Sequence, residues 1–413
     1  MTGLQRAIAV RASDTGALAA LREPYRPPDI TPVGNNLAED VARMRPYLSF
    51  IRPGNEGKQI EPKLGIVGPL AEMLRNVVMS EDEDEVDGNE AEALARDAQD
   101  ILRIWDVLVH DLTARRRLGS HEQGSSEGRP VRGADLMLRV QGSTELPAHA
   151  VVLSSRCAVL SRILGGLGGI HDRESGTSLK LLPAPSPRTT PGPPLTLAEA
   201  PRLAVAGVHP FSVLVLLHYL YTDVLLAVGD PRLTRVTAEA FARGRLQPAQ
   251  VVRELQTLSR VLHLDALIDA LRGAVRREPS PSLTLHFQAI FDAPMSTTPP
   301  DVMLRLADRD VWTHSFVLRA RSLFFECFFT DEDWTMYRWE KDGTLRFDLR
   351  HLEWCSMQYV LRFMCCGEEA EMFERLGMCD PYSAFRWPES LEKILLIPRT
   401  SYWISCSVSC VLR

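Results

Sequence analysis

The stretch that decides the fold occurs twice in the chain. Residues 301–329 read DVMLRLADRDVWTHSFVLRARSLFFECFF, and residues 135–164 read DLMLRVQGSTELPAHAVVLSSRCAVLSRIL. In both copies an Asp precedes a His by 13 or 14 positions, and from that His the spacing to a Leu and an Arg is identical. The shared positions are Asp135, His149, Leu153 and Arg156, and then Asp301, His314, Leu318 and Arg321. The sequence therefore predicts a duplicated structural unit.

Each copy predicts a strand followed by a helix. Leu136, Leu138 and Val140 alternate with residues that are more polar overall, which indicates a strand with one buried face. After the His, apolar residues recur at steps of four, three and four, the spacing of one helix face. The matched positions are Leu153, Cys157, Leu160 and Leu164 in one copy and Leu318, Ser322, Phe325 and Phe329 in the other.

A second pair of similar segments follows each copy. FSVLVLLHYLYT at 211–222 aligns without gaps with CSMQYVLRFMCC at 355–366, which places Tyr219 over Phe363. Residues 203–222 contain no Asp, Glu, Lys or Arg and are about long enough to span a bilayer. Because the matching segment contains Arg362, we expect a buried helix of a globular domain and no membrane span.

The composition excludes several classes of protein. A chain of 413 residues, 45% hydrophobic and 24% charged, is long enough for two or three domains. Its net charge of -6 argues against a nucleic-acid or anionic membrane surface. The eight cysteines have no regular spacing, which indicates free thiols in a reducing compartment. We therefore expect a cytoplasmic, or nuclear, protein without nucleic-acid or membrane partners.

The repeated residues resemble the BTB/POZ domain. The resemblance rests on the strand, PAH at 147–149, VLSSR at 152–156 and LLHYLYT at 216–222. It implies an α+β fold, a small mixed sheet capped by helices, in two tandem copies with long disordered insertions. It also marks Tyr219, Tyr221 and Phe363 as structural signature positions beside the shared Asp, His, Leu and Arg.

A weaker resemblance concerns the first 50 residues. QRAIAVRASDTGALAALRE at 5–23 is similar to the last blade of a regulator-of-chromosome-condensation propeller. A propeller followed by tandem BTB domains resembles inhibitor-of-Bruton-kinase-like proteins and their fungal relatives. The expected layout is propeller-like strands at 1–30, a helical segment with an acidic spacer at 31–113, a linker at 114–132, a first domain at 133–275 with a disordered insertion at 165–200, a linker at 276–298, a second domain at 299–378 and an irregular tail at 379–413.

Structural roles explain the chemically active residues better than catalysis does. His149 and His314 stand just before a helix, where a ring nitrogen can hydrogen-bond the backbone, and no ligand-spaced partner accompanies either. No nucleophile elbow or phosphate-binding glycine loop occurs. We therefore predict a non-enzyme without metal or cofactor. Arg156 and Arg321 either contact a partner or anchor the domain to its own carbonyls and acids.

The second copy contains more aromatic residues than one buried helix face needs. The four residues are Phe324, Phe325, Phe328 and Phe329. Most of this group is expected to be core, and part of it to lie in an interface between repeats or subunits.

The resemblance implies protein–protein assembly. BTB domains dimerise, and many hold cullin-3 while another part of the chain holds a ubiquitination substrate. The alternative is a non-ligase scaffold or transcriptional regulator. Transcription-factor members carry Arg where this chain has Ala150 and Ser315. Cullin-binding members often show a hydrophobic-x-Glu element, and neither copy fits it, since 208–222 has no Glu and Glu353 follows the polar His351. The repeats could pair within one chain or between two chains.

Overall fold

The structure is a computed structural model of the chain, and its description covers most of the repeated region. The described residues are 7–12, 18–22, 37–48, 88–117, 131–141, 144–182, 200–272, 277–294, 298–330, 338 and 344–367. They belong to two compact parts of the chain. Within residues 1–35, β1 (Ala7–Ala12) and β2 (Leu18–Arg22) form an antiparallel hairpin, in the segment where strands were expected.

The second part, within residues 36–397, begins with helices. Helix α1 (Leu37–Arg43) leads into a 3-10 turn (Pro46–Leu48), and a long helix α2 (Gly88–Arg117) follows. Apolar residues at steps of four and three along α2 form one buried stripe, made of Leu94, Ala98, Ile101, Trp105 and Leu108. The predicted linker boundary at 114 is wrong, because Ala and Arg are strong helix formers and extend α2 to Arg117.

The first repeat is built on a five-stranded mixed sheet. Its strands are β3 (Leu136–Val140), β4 (Thr144–Ala148), β5 (Ile170–His171), β6 (Ser178–Leu182) and β7 (Arg202–Ala206). Their order is β4-β3-β7-β6-β5, and only the β3–β7 pair is parallel.

The predicted disordered insertion at 165–200 is wrong in its first part, because two of these strands lie there. β5 and β6 lie inside it, because Leu179 is buried and β6 pairs along its length with β7. Gly166 and Gly176 adopt positive φ in the turns before β5 and before β6, so the glycines shape turns that lead into strands. The proline-rich remainder, 183–199, lies outside the described residues.

Six helices complete the first repeat and its extension: α3 (Ala150–Arg156), α4 (Ala158–Leu164), α5 (Pro210–Thr222), α6 (Thr234–Gly244), α7 (Pro248–Leu262) and α8 (Asp265–Ala270). The apolar run at 203–222 is divided between β7 and α5, with Gly207 at positive φ between them. Across the described ranges, no helix combines the length and the hydropathy needed to cross a membrane.

The described elements of the second repeat follow the order of their counterparts in the first, without described counterparts of β5 and β6. Its strands are β8 (Val302–Leu306), β9 (Asp310–Thr313) and β10 (Leu345–Leu349), and its helices are α10 (Ser315–Arg321), α11 (Leu323–Thr330) and α12 (Trp354–Cys366). β8 pairs antiparallel with β9 and parallel with β10, as β3 does with β4 and β7. The predicted α+β class with small mixed sheets is confirmed.

The predicted linker at 276–298 contains a helix that the sequence reading missed. Helix α9 (Leu283–Asp292) buries Leu283, Phe287 and Ile290, one face at steps of four and three. Prolines and serines on both sides of this short helix give the segment the composition of a linker. The end of the second domain at 368–378 and the tail at 379–413 lie outside the described residues.

Candidate functional site: the interface between the two repeats

The two repeats contact each other through aromatic rings near the starts of equivalent helices. The ring of Phe316 in α10 lies 4.4 Å, centroid to centroid, from the ring of His149, the residue before α3. The Tyr221 ring, in α5 of the first repeat, lies 6.4 Å from the same Phe316 ring. Phe316 is only 4% exposed. The contact is therefore a desolvated part of the fold.

Two short helices connect the repeats on either side of this contact. α1 packs against α5 of the first repeat and α10 of the second. α9 packs against α12 of the second repeat and α3 of the first. Since α5 corresponds to α12 and α3 to α10, the two bridging helices occupy equivalent positions. The pairing has an approximate twofold relation within one chain.

The bridging helices also share a sequence pattern. α1 and the residue after it bury Leu37, Val41 and Met44, and α9 buries Leu283, Phe287 and Ile290. The steps of four and three are the same in both, so each helix turns one apolar stripe toward the repeats. Three positions after the first Leu of the pattern, α1 has Asp40 and α9 has His286.

His149 is fully engaged by hydrogen bonds. Its backbone N–H donates to the Tyr221 hydroxyl at 2.9 Å, so that hydroxyl gives its own proton to Nδ1 at 2.8 Å. Nε2 then carries the ring proton and donates to the Arg132 carbonyl at 3.1 Å. Burial lowers the pKa of His149 to about 3, which keeps the ring neutral. The histidine joins the segment before β3 to α5 and does not cap its own helix.

His314 keeps one of these two connections. Its Nε2 donates to the Pro294 carbonyl at 3.2 Å, in the segment that follows α9. The residue equivalent to Tyr221 is Cys365, so the second repeat lacks the tyrosine hydroxyl. Burial lowers the pKa of His314, although nearby Asp301 acts in the opposite direction.

The signature aspartates hold the first turn of the following helix. An Asp135 carboxylate oxygen accepts the backbone N–H of Ala150 at 2.7 Å, and an Asp301 oxygen accepts that of Ser315 at 2.7 Å. The Ser315 hydroxyl donates to the other Asp301 oxygen. A carboxylate at a helix N-terminus satisfies N–H groups that have no partner within the helix.

Arg156 attaches the first repeat to α9. Its side chain is 1% exposed and forms an ion pair with Asp223, the residue directly after α5. Nη1 donates to the Ser282 hydroxyl at 2.8 Å and lies 2.9 Å from His286 Nδ1, the ring nitrogen that also lies 2.7 Å from the Ser282 carbonyl oxygen. Nε donates to the Leu220 carbonyl at 3.1 Å. A buried guanidinium needs such a set of acceptors to offset its desolvation.

Asp223 extends this attachment to the backbone of the bridging helix. One of its carboxylate oxygens accepts the N–H groups of Ser282 and Leu283, at 2.7 and 2.6 Å. These groups belong to the N-terminal end of α9. Asp223 therefore pairs with Arg156 and caps the helix that covers it.

Arg321 performs the equivalent role for α1. Its buried guanidinium pairs with the Asp40 carboxylate of α1, and both side chains are 3% exposed. Its Nη2 donates to the Phe363 carbonyl at 3.5 Å, and its charge lies 5.0 Å from the centroid of the Phe363 ring. In the first repeat Arg156 lies 5.7 Å from the centroid of the Tyr219 ring. Each signature arginine thus holds one bridging helix.

The remaining predicted residues lie in the repeat cores. Leu153 and Leu318 are completely buried. Among the four phenylalanines of α11, Phe325 and Phe329 are buried, and the other two, Phe324 and Phe328, are half-buried. The Phe328 ring lies 4.1 Å from that of Phe347 in β10. The ring contacts described for this group are with one another and with β10, so they lie within the second repeat.

Sequence reasoning missed the partners of the two signature arginines, namely Asp40, Asp223, Ser282 and His286, and the ring at the centre of the interface, Phe316. The alignment of the two copies could have pointed to Asp223. It directly follows the aligned segment 211–222, at the position where the second copy has Gly367. Asp40 lies 281 positions before Arg321 and outside the two repeated stretches 135–164 and 301–329.

Comparison with known proteins supports the resemblance to the BTB/POZ family. No protein-family model matches the chain. The chain is similar to BTB/POZ domain-containing protein 1 of Schizosaccharomyces pombe, with 24% identity over 398 residues, or 95% of the chain. It spans about a quarter of that relative's length.

The titratable side chains of the described part form no metal centre. No group of three or more His, Cys, Asp or Glu side chains is placed there to hold a metal ion.

Proposed function

We propose that the chain is a BTB/POZ-type protein-interaction module whose two units pair with each other, and that it serves as a substrate adaptor of a cullin-3 type ubiquitin ligase in the cytoplasm or nucleus. The observation that supports the pairing is that α1 and α9 each contact both repeats, and that the signature arginine of one repeat holds each helix. The similarity to a BTB/POZ domain-containing protein supports the interaction role.

Binding, and not catalysis, is the activity that these residues favour. Both ring nitrogens of His149 are hydrogen-bonded, and a pKa near 3 makes the ring a poor base near neutral pH. Arg156 and Arg321 are enclosed by their own chain. The polar groups most typical of the family therefore stabilise the pair, and partners would bind outside it.

Pairing within one chain gives a fixed double platform. Linked units meet at an effective concentration far above that of separate chains, so the pair forms without a second molecule. An adaptor of this design would present one ligase-binding surface and one substrate-binding surface in a constant geometry.

A non-ligase scaffold is the alternative, and one observation favours it. α5 carries no acidic residue of its own, and the carboxylate at its start comes from Glu254 of α7, which accepts the His209 N–H at 2.8 Å and the Ser212 hydroxyl at 2.6 Å. The acid is thus committed to the helix N-terminus and is not presented in a hydrophobic-x-Glu element.

Titration calorimetry with purified cullin-3 tests the ligase proposal on the full chain. We expect one cullin-3 per chain, with a BTB protein of established cullin-3 binding as the positive control. If the control binds and this chain does not, the ligase adaptor is rejected and the scaffold remains.

A further inference from the structure

Helix α11 of the second repeat carries four apolar side chains that its own repeat covers only in part. Leu323 is 47% exposed, Cys327 is exposed, and Phe324 and Phe328 are half-buried. The Phe324 and Phe328 rings stack with 5.5 Å between their centroids. The four side chains form two adjacent rows at a spacing of four residues, so they share one side of the helix. This side is the outer face of α11.

The counterpart of the outer face in the first repeat is smaller, charged or buried. The constant spacing from His149 and His314 aligns α4 with α11 without gaps. The four counterpart residues are Ala158, Val159, Arg162 and Ile163. Val159 and Ile163 are buried, and the exposed position that corresponds to Cys327 carries the charge of Arg162. The second repeat therefore has larger apolar side chains at positions where the first repeat exposes only Ala and Arg.

Helix α7 shows what packs on α4 in the first repeat. α4 contacts α7 as well as β6, and the Cys157 thiol at the start of α4 donates to the Leu262 carbonyl of α7 at 3.3 Å. α7 is amphipathic, with buried residues at steps of four, three and four, namely Val251, Leu255, Leu258 and Leu262. The described part of the second repeat ends at Gly367, the counterpart of Asp223, so it contains no equivalent of α7.

We propose that the outer face of α11 is a docking site for an amphipathic helix of a partner protein. The partner helix places apolar residues, spaced like those of α7, against the two rows of the face. The eight residues of α11 extend over about 12 Å, which corresponds to two turns of a partner helix. All four side chains of the face are uncharged, so apolar contact supplies the recognition.

This site rests on the protein-interaction role proposed above, and it does not depend on cullin-3. A chain that fails to bind cullin-3 can still bind the helix, and failure of the helix to bind leaves the cullin-3 result unaffected.

The test uses the full chain and a synthetic peptide with the sequence of α7, residues 248–262. A free helix of 15 residues is only marginally stable in water, so a lactam bridge between positions 253 and 257 holds the peptide helical. These positions lie outside the apolar stripe of α7. A matched control peptide carries Leu255→Asp and Leu258→Asp, which remove the centre of the stripe.

The exposed thiol of Cys327 reports on occupation of the face. Cys355, at the start of α12, is also exposed and lies outside the face. We expect the α7 peptide to remove most of the reactivity of Cys327 toward N-ethylmaleimide, measured by mass spectrometry, and to leave that of Cys355 unchanged. The control peptide should protect neither thiol.

Two matched leucine variants of the full chain locate the binding. Leu323→Asp places a charge in the face at the first residue of α11, where an acid is favourable for the helix. The affinity for the α7 peptide, measured by fluorescence anisotropy, should fall about tenfold or more, because binding would desolvate the carboxylate. Leu285→Asp changes a 68% exposed leucine in the first turn of α9 and should leave the affinity unchanged.

Unchanged Cys327 reactivity at the highest soluble peptide concentration would overturn the proposal, as would an equal effect of the two leucine substitutions. A chain that is dimeric in sedimentation velocity and becomes monomeric with Leu323→Asp would also overturn it, because the face would then bind a second copy.

Discussion

Replacement of Phe316 by Ala should remove much of the energy that joins the repeats. The Phe316 ring is buried, and it lies 4.4 Å from the His149 ring and 6.2 Å from the Phe287 ring of α9. Truncation of a buried Phe to Ala costs about 3–5 kcal/mol, because apolar area is lost and a cavity remains. With packed aromatic neighbours on both sides we expect about 4 kcal/mol, near the middle of that range.

The equivalent residue of the first repeat provides the matched control. Val151 occupies that position and is also buried. Phe316→Val keeps a branched apolar side chain, so it should cost clearly less than Phe316→Ala.

Urea unfolding of the full chain, followed by circular dichroism at several protein concentrations, measures both quantities. The midpoint should not depend on protein concentration, since the pair forms within one chain. A cost below about 1 kcal/mol for Phe316→Ala, or a midpoint that rises with concentration, would refute the reasoning.

Three further predictions concern the cores and the signature residues. Leu153→Ala and Leu318→Ala should each lower the free energy of unfolding by about 2–5 kcal/mol in urea titrations, whereas a change below about 1 kcal/mol would contradict their burial. Asp301→Ala should cost about 1 kcal/mol through lost hydrogen bonds at the start of α10, and equal stability would exclude that role. Below pH 6.5 only unfolded His149 gains a proton, so the contribution of His149 to the free energy of unfolding should fall by up to about 1.4 kcal/mol per pH unit, and the deficit of His149→Gln should shrink between pH 7 and 5.

The repeat could be predicted from the sequence because its strands and helices carry local periodicity. The alternation before each His and the steps of three and four after it were enough to identify β3, β8 and the helices that follow. The polar interactions of Asp135 and Asp301 also lie within 15 residues of their partners. Such short-range patterns can be recognised without knowledge of tertiary contacts.

The helix α1 lies in the segment expected to be helical, but the bridging role of α1 and the existence of α9 could not be predicted in the same way. α1 has seven residues, and α9 is enclosed by prolines, so neither gives a long periodic signal. The pairing of Arg321 with Asp40 joins positions far apart in the chain, and no motif connects them. β5 and β6 were missed because the glycines that allow their turns also resemble a flexible insertion.

Pairing within the chain is the central claim, and isotope-resolved photo-crosslinking tests it most directly. Arg43 of α1 is half exposed, and its Nη2 lies 3.3 Å from the Ala320 carbonyl of α10, so a photoreactive phenylalanine analogue at position 43 should reach the second repeat. Light and heavy chains are mixed, unfolded together, refolded and irradiated. The account predicts crosslinks between the peptides containing residues 43 and 320 that are light–light or heavy–heavy. Light–heavy crosslinks at the level of random mixing would contradict it.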